Sequence, residues 1–147
     1  MSLEENKVLV RCGIEEVFNK RSVAAIDEFF APNVVPHTLP PGVPRDREGY
    51  KQMVTALLDA FPDFRVAIED MIAEGDKVVA RALSRGTHKG EFMGIAPTGK
   101  QTTWTEIFIW RIEGGKAVEI WAEVDQFGLM QQLGVVPPPE EFRGCNP

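Results

Sequence analysis

The 147-residue sequence predicts an α+β fold, and three observations carry the prediction. Apolar residues recur at helical spacing through the part of the chain before Pro62. From Phe64 onward they alternate with polar residues, the period of a half-buried strand. Gly114 and Gly115 stand between two such alternating runs and mark a tight antiparallel turn. Helices gathered first and antiparallel strands afterwards form a segregated α+β architecture, not an alternating parallel one.

The first helix is expected over residues 3–19, where Val10, Ile14, Val17 and Phe18 line one side. Ser2 and Glu5 have the spacing of a capping box. The second helix starts behind Ser22, carries Ile26, Phe29 and Phe30, and is stopped by Pro32. Asp46 caps the third, whose stripe of Tyr50, Met53, Val54, Leu57, Leu58 and Phe61 ends at Pro62. Between the second and third helices lies a loop dense in proline (Pro36, Pro40, Pro41, Pro44), of a kind that is often functional in compact domains. Phe64, Val66 and Ile68 open the first strand, and Glu74-Gly75-Asp76 turns the chain into a second over 78–84. A long loop over 87–100 precedes strand three at 101–112 and strand four at 117–124. Asp125 caps a short helix that runs to Leu133 and ends at Gly134. The tail from 137 to 147 reads as irregular, and the absence of repeats and linkers argues for one domain over 1–147.

Composition excludes several classes. The formal net charge is −6 and no Lys/Arg cluster occurs, so nucleic acid and anionic membrane are poor partners. No apolar run reaches the roughly 20 residues of a membrane helix. The N-terminus has neither the basic start nor the apolar stretch of a secretory signal. Cys12 and Cys145 form no CxxC motif and read as free thiols of a reducing cytoplasm.

Several short motifs recur in a specific order: His37-Thr38 before the proline-rich loop, Arg47-Glu48-Gly49 with Lys51-Gln52, and Gly86-Thr87-His88 followed by Gly90 and Gly94. Pro97-Thr98-Gly99-Lys100, Arg111-Ile112, Gly115-Lys116, Glu119-Ile120-Trp121 and the run from Asp125 to Gly134 complete the set. In their order and spacing they resemble the SnoaL-like polyketide cyclases, part of the superfamily that includes ketosteroid isomerase and nuclear transport factor 2. The resemblance spans nearly the whole chain. It implies a curved, cone-shaped antiparallel sheet whose helices enclose a pocket, a homodimer, and a hydrophobic, ring-forming substrate. It also implies proton abstraction and intramolecular aldol closure without metal or organic cofactor. In the characterised cyclases an aspartate on the last strand serves as acid/base; this sequence has Ala122 at that position.

Strand parity sorts the candidate residues, because neighbours point to opposite faces. Trp104, Glu106, Phe108 and Trp110 share one face of strand three, and Thr103, Thr105, Ile107 and Ile109 the other. The resemblance turns the first set inward. On strand four it does the same for Val118, Ile120, Ala122 and Val124, leaving Glu119, Trp121, Glu123 and Asp125 outside. Glu106 is then the candidate base, a carboxylate among aromatics whose pKa burial would raise. The alternative is a carboxylate held in a salt bridge by Arg81 or Arg85. His37 and His88 are candidate proton carriers or carbonyl-polarising donors, and a loop-stabilising hydrogen bond is the alternative for His88. Phe92, Met93, Trp104, Phe108, Trp110, Ile120 and Ala122 are candidate substrate contacts that would suit a small hydrophobic, polycyclic ligand. The two histidines lack metal-ligand spacing and no third ligand accompanies them, so no metal site is expected.

Overall fold

A computed structural model of the chain describes residues 1–137. All but the first residue of the predicted irregular tail, Cys145 included, lies outside that range. Helix α1 (Leu3–Ile14) begins on the capping box: Ser2 Oγ accepts from the Glu5 N–H at 3.1 Å, and Glu5 Oε1 accepts from the Ser2 N–H at 3.4 Å. Its end widens into a π-turn over Glu15–Asn19. That turn buries Val17 and Phe18 and sends Asn19 onto the backbone of Val66, where its amide both donates (2.9 Å) and accepts (2.8 Å). The side chain thus acts as a short strand partner for a sheet edge.

The second helix is shorter than its pattern suggested. Ser22 caps it as expected, but helix α2 covers only Ile26–Phe29. Phe30–Pro36 then forms strand β1, parallel to the last strand at the sheet's edge. The sheet is therefore mixed, not wholly antiparallel. Phe30 and Val34 favour extended backbone, and an edge strand tolerates Pro32 and Pro36 because it needs ladder donors on one side only. Helix α3 (Arg47–Ala60) starts where Asp46 Oδ1 accepts from the Gly49 N–H at 2.8 Å. Gly49 must lack a side chain: a Cβ would stand 1.7 Å from the Pro44 carbonyl oxygen.

Strands β2 (Arg65–Glu74), β3 (Lys77–Thr87), β4 (Gln101–Glu113) and β5 (Lys116–Val124) follow, and α4 (Gln126–Leu133) closes the described fold. The sheet order is β1-β5-β4-β3-β2, with all pairs but β1–β5 antiparallel. One face is covered by the helices and the other is open. On β4 the alternation is unbroken: Thr102, Trp104, Glu106, Phe108, Trp110 and Ile112 are all buried. On β5 it breaks. Arg111 pairs with Glu119 and Ile112 with Ala117, so Val118 is an extra, bulged residue. Ala117 takes the inward place that simple alternation assigns to Val118, and parity holds again from Ile120.

Helix α1 crosses the inner face closely at Gly13. A Cβ there would lie 2.7 Å from Cη2 of Trp110. Gly13→Val should overpack this crossing at a cost of about 1–3 kcal/mol, read as a thermal midpoint lower by several degrees.

Candidate active site

Glu106 projects to the helix-covered face, and only 8% of it is exposed. Strand register sets its surroundings. Ala82 stands opposite on β3, and the next inward pair is Ser84 with Trp104. Both neighbours donate to one carboxylate oxygen: Trp104 Nε1 to Oε1 at 2.5 Å and Ser84 Oγ to Oε1 at 3.1 Å. Oε2 takes no hydrogen bond from any described residue. No guanidinium among the described residues reaches the group. Arg81 points outward and pairs with Glu69 at 3.5 Å, and Arg85 is also on the outer face. Burial raises the Glu106 pKa above the ordinary carboxylate value, and the Trp104 and Ser84 hydrogen bonds offset this only in part. The carboxyl is thus fixed in orientation, short of counter-charge, and able to exchange a proton above the usual acidic range.

Aromatic rings pack around the row that holds Glu106. Phe108, the next inward residue, stacks on Phe18 at 6.4 Å. Trp104 lies 5.2 Å from Phe61 and 5.7 Å from Phe64. Phe92, half-buried in the 88–100 loop, meets Phe61 at 5.3 Å. Trp110 belongs to the packed core, edge-on to Phe30 at 5.0 Å. Ile120 is buried beside it in register, and Ala122 is half-buried opposite Phe108. Met93 departs from the group: it is 60% exposed at the tip of its loop, with its sulfur accepting from Gln126 Nε2 at 3.0 Å. A separate open groove of about 450 Å³ runs beside Asp63, Arg85 and Thr103; Glu106 is not in its wall.

The histidines do not join Glu106. His37 follows β1 and lies on the outer face of the sheet, stacked on Trp121 at 4.7 Å with its Nε2 3.1 Å from Glu119 Oε1. Arg111 binds the other oxygen of Glu119 and, with His37, holds that carboxyl below its usual pKa. The thickness of the sheet separates this cluster from Glu106. His88 is inward and fully buried, yet three inward positions along β3 from Ala82. Its Nδ1 accepts from the Thr98 N–H at 3.2 Å and lies 3.0 Å from Thr98 Oγ1, so the neutral ring carries its proton on Nε2. Backbone bonds to Lys100 and Gly99 complete a clamp on the loop base. His88 is a loop anchor in this geometry. Asp125 caps α4, accepting from the Gly128 N–H at 3.0 Å. Among the described residues no group of three or more His, Cys, Asp or Glu side chains is placed to hold a metal ion.

One residue that touches Glu106 escaped the sequence reading, Ser84. Continuing the inward parity of Val78, Ala80 and Ala82 would have reached Ser84. Trp104→Phe removes the principal donor that stabilises ionised Glu106. The rising limb of any pH–rate profile governed by this base should then move to higher pH, a shift readable in a buffered rate series.

The family model described as SnoaL-like polyketide cyclase matches residues 8–133. Nogalonic acid methyl ester cyclase from Streptomyces nogalater is 28% identical over 126 residues, covering 84% of this chain and 94% of that protein. Among solved structures, AclR from Streptomyces galilaeus, described as a candidate hydroxylase, superposes with TM-score 0.85 at 28% identity, covering 97% of this chain and 95% of its own. IdmH from Streptomyces antibioticus, described as a candidate polyketide cyclase, gives TM-score 0.76 at 35% identity over 88% of this chain and 99% of its own. No helix among the described residues is long and apolar enough to cross a membrane.

Proposed function

Because the chain belongs to the SnoaL-like polyketide cyclase family, we propose that it closes a ring on a hydrophobic carbonyl substrate by proton abstraction and intramolecular aldol addition. The observation that carries this reading is the environment of Glu106: one buried carboxylate, oriented through Oε1, with no hydrogen bond at Oε2 and no paired cation among the described residues. Such a base can remove a proton from carbon next to a carbonyl near neutral pH. Family resemblance would seat the acid at Ala122 on the last strand. Ala122 pairs with Phe108, whose neighbour on the inward row is Glu106. A carboxylate on β4 can therefore serve the same interior from the adjacent strand. Trp104, Phe108 and Phe92 supply flat apolar walls for a polycyclic ligand.

The test uses 2-tetralone, a fused aromatic ketone with acidic protons beside its carbonyl. In deuterated buffer the protein should accelerate exchange of those protons, with a rate that rises as Glu106 ionises. No acceleration over buffer at any pH from 5 to about 9 would reject the reading. The absent acid at position 122 favours a second reading, a relative that binds hydrophobic ring compounds without converting them. Saturable binding of 2-tetralone with no exchange would be its signature.

The protein is further proposed to work as a homodimer through the open face of the sheet. Arg81, Ile107 and Glu123 stand side by side on β3, β4 and β5, all facing outward. A two-fold axis running along β4 at Ile107 would set Arg81 of each copy against Glu123 of the other, with Leu83, Ile109 and Trp121 supplying apolar area. The exposed free thiol of Cys12 suits the reducing cytoplasm expected for it.

A further inference from the structure

An enolate forming beside Glu106 needs a hydrogen-bond donor at its oxygen, and neither histidine is placed to give one. Helix α3 offers another group. Tyr50 lies in its first turns, only 4% exposed, on the side facing the sheet. Its ring is fixed by Phe30 at 4.8 Å, and Phe30 in turn packs edge-on against Trp110 on the β4 row that holds Glu106. The phenol thus packs, through Phe30, against the Trp110 end of that row on its helix-covered side. No described residue hydrogen-bonds its hydroxyl, and the enclosed polar atoms left without a partner do not include it.

We propose that Tyr50 is the electrophilic partner of Glu106, donating its O–H to the substrate carbonyl oxygen as Glu106 Oε2 takes the proton from the adjacent carbon. The assignment rests on the ring-closure reading above and adds the oxyanion donor that reading lacks. The α C–H bond breaks and its proton passes to Oε2. The released electron pair forms a C=C bond and moves charge onto the carbonyl oxygen, under the Tyr50 hydrogen bond. The enolate carbon then forms a C–C bond to a second carbonyl carbon, whose oxygen takes the proton back from Glu106. Charge and protons balance, and both side chains end as they began. Burial first, and then the negative charge of Glu106, raises the phenol's pKa above its ordinary value, so Tyr50 stays a donor across the working pH range.

The test compares parent, Tyr50→Phe and Glu106→Gln with two probes: 2-tetralone for proton exchange, and 2-naphthol as a planar mimic of the enol. Tyr50→Phe should lower the exchange kcat by about 10²–10³-fold, the usual loss on removing one oxyanion donor, with KM changed by less than about threefold. Exchange at the parental rate in Tyr50→Phe, with Glu106→Gln inactive, would overturn the role of Tyr50 and leave the base assignment standing. Exchange persisting in Glu106→Gln would overturn the base assignment itself. A further measurement is independent of both turnover and substitution. Because Tyr50 is the chain's single tyrosine, growth on 3-fluorotyrosine labels that one site. Saturation with 2-naphthol should move its fluorine resonance, and an unmoved resonance at saturation would overturn the proposal even if Tyr50→Phe failed to fold.

Discussion

Glu106→Gln is expected to lower proton transfer by about 10²–10⁴-fold, the range for removing a general base, without lowering the melting temperature. The stability half of this expectation follows from linkage. The folded-state pKa of Glu106 is raised above its ordinary value of 4.5. Between that value and the raised one, the unfolded chain has lost the proton while the folded chain keeps it. Stability therefore falls as pH rises through this window, and the ionised, desolvated carboxylate weighs on the fold above it. Glutamine carries no charge to desolvate, and its amide oxygen can still accept from Trp104 and Ser84. The variant's midpoint relative to the parent should thus climb with pH and then level off. A melting series from pH 4 to about 9 reads the difference, with exchange of 2-tetralone measured on the same samples. A variant that melts well below the parent at pH 8 would mean that ionised Glu106 has a structural partner, which the site described above does not contain.

Ile107→Asp should separate the two copies of the proposed dimer. Ile107 is 44% exposed on the open face, so the substitution touches little of the monomer's core. Exposed changes of this kind usually move stability by within about 0.5 kcal/mol. At a two-fold axis, however, the new carboxylate would meet its own symmetry copy and lie next to Glu123. Like charges so juxtaposed cost several kcal/mol, so the dimer dissociation constant should rise by at least about 100-fold. Sedimentation at micromolar concentration would show a monomer whose circular dichroism matches the parent's. Persistence of the dimer would place the interface on another face. Exchange activity in the separated monomer reports whether Glu106 needs the partner at all.

What the sequence by itself determined is local or periodic. Ser2, Asp46 and Asp125 start their helices because a side-chain oxygen meets an N–H only three residues on. Strand β4 keeps strict alternation, so the inward direction of Glu106 follows from counting by two once one inward residue is known. What only the tertiary structure decided depends on partners far along the chain. Phe30–Pro36 became a strand because β5, with Ala117 opposite Phe30, lay open to receive it, and a helix stripe ending in two phenylalanines carries no trace of that partner. The bulge at Val118 exists only in relation to β4. His37 went to the outer face because its place beside β5 set it on Trp121 and Glu119. Tyr50 reads as core from its spacing alone; only the fold shows that its ring packs on Phe30, which in turn meets Trp110 on the row of Glu106. Helix caps and strand parity are settled within a few residues, whereas edge pairing, bulges and the meeting of two walls are settled by chain segments that come together only on folding.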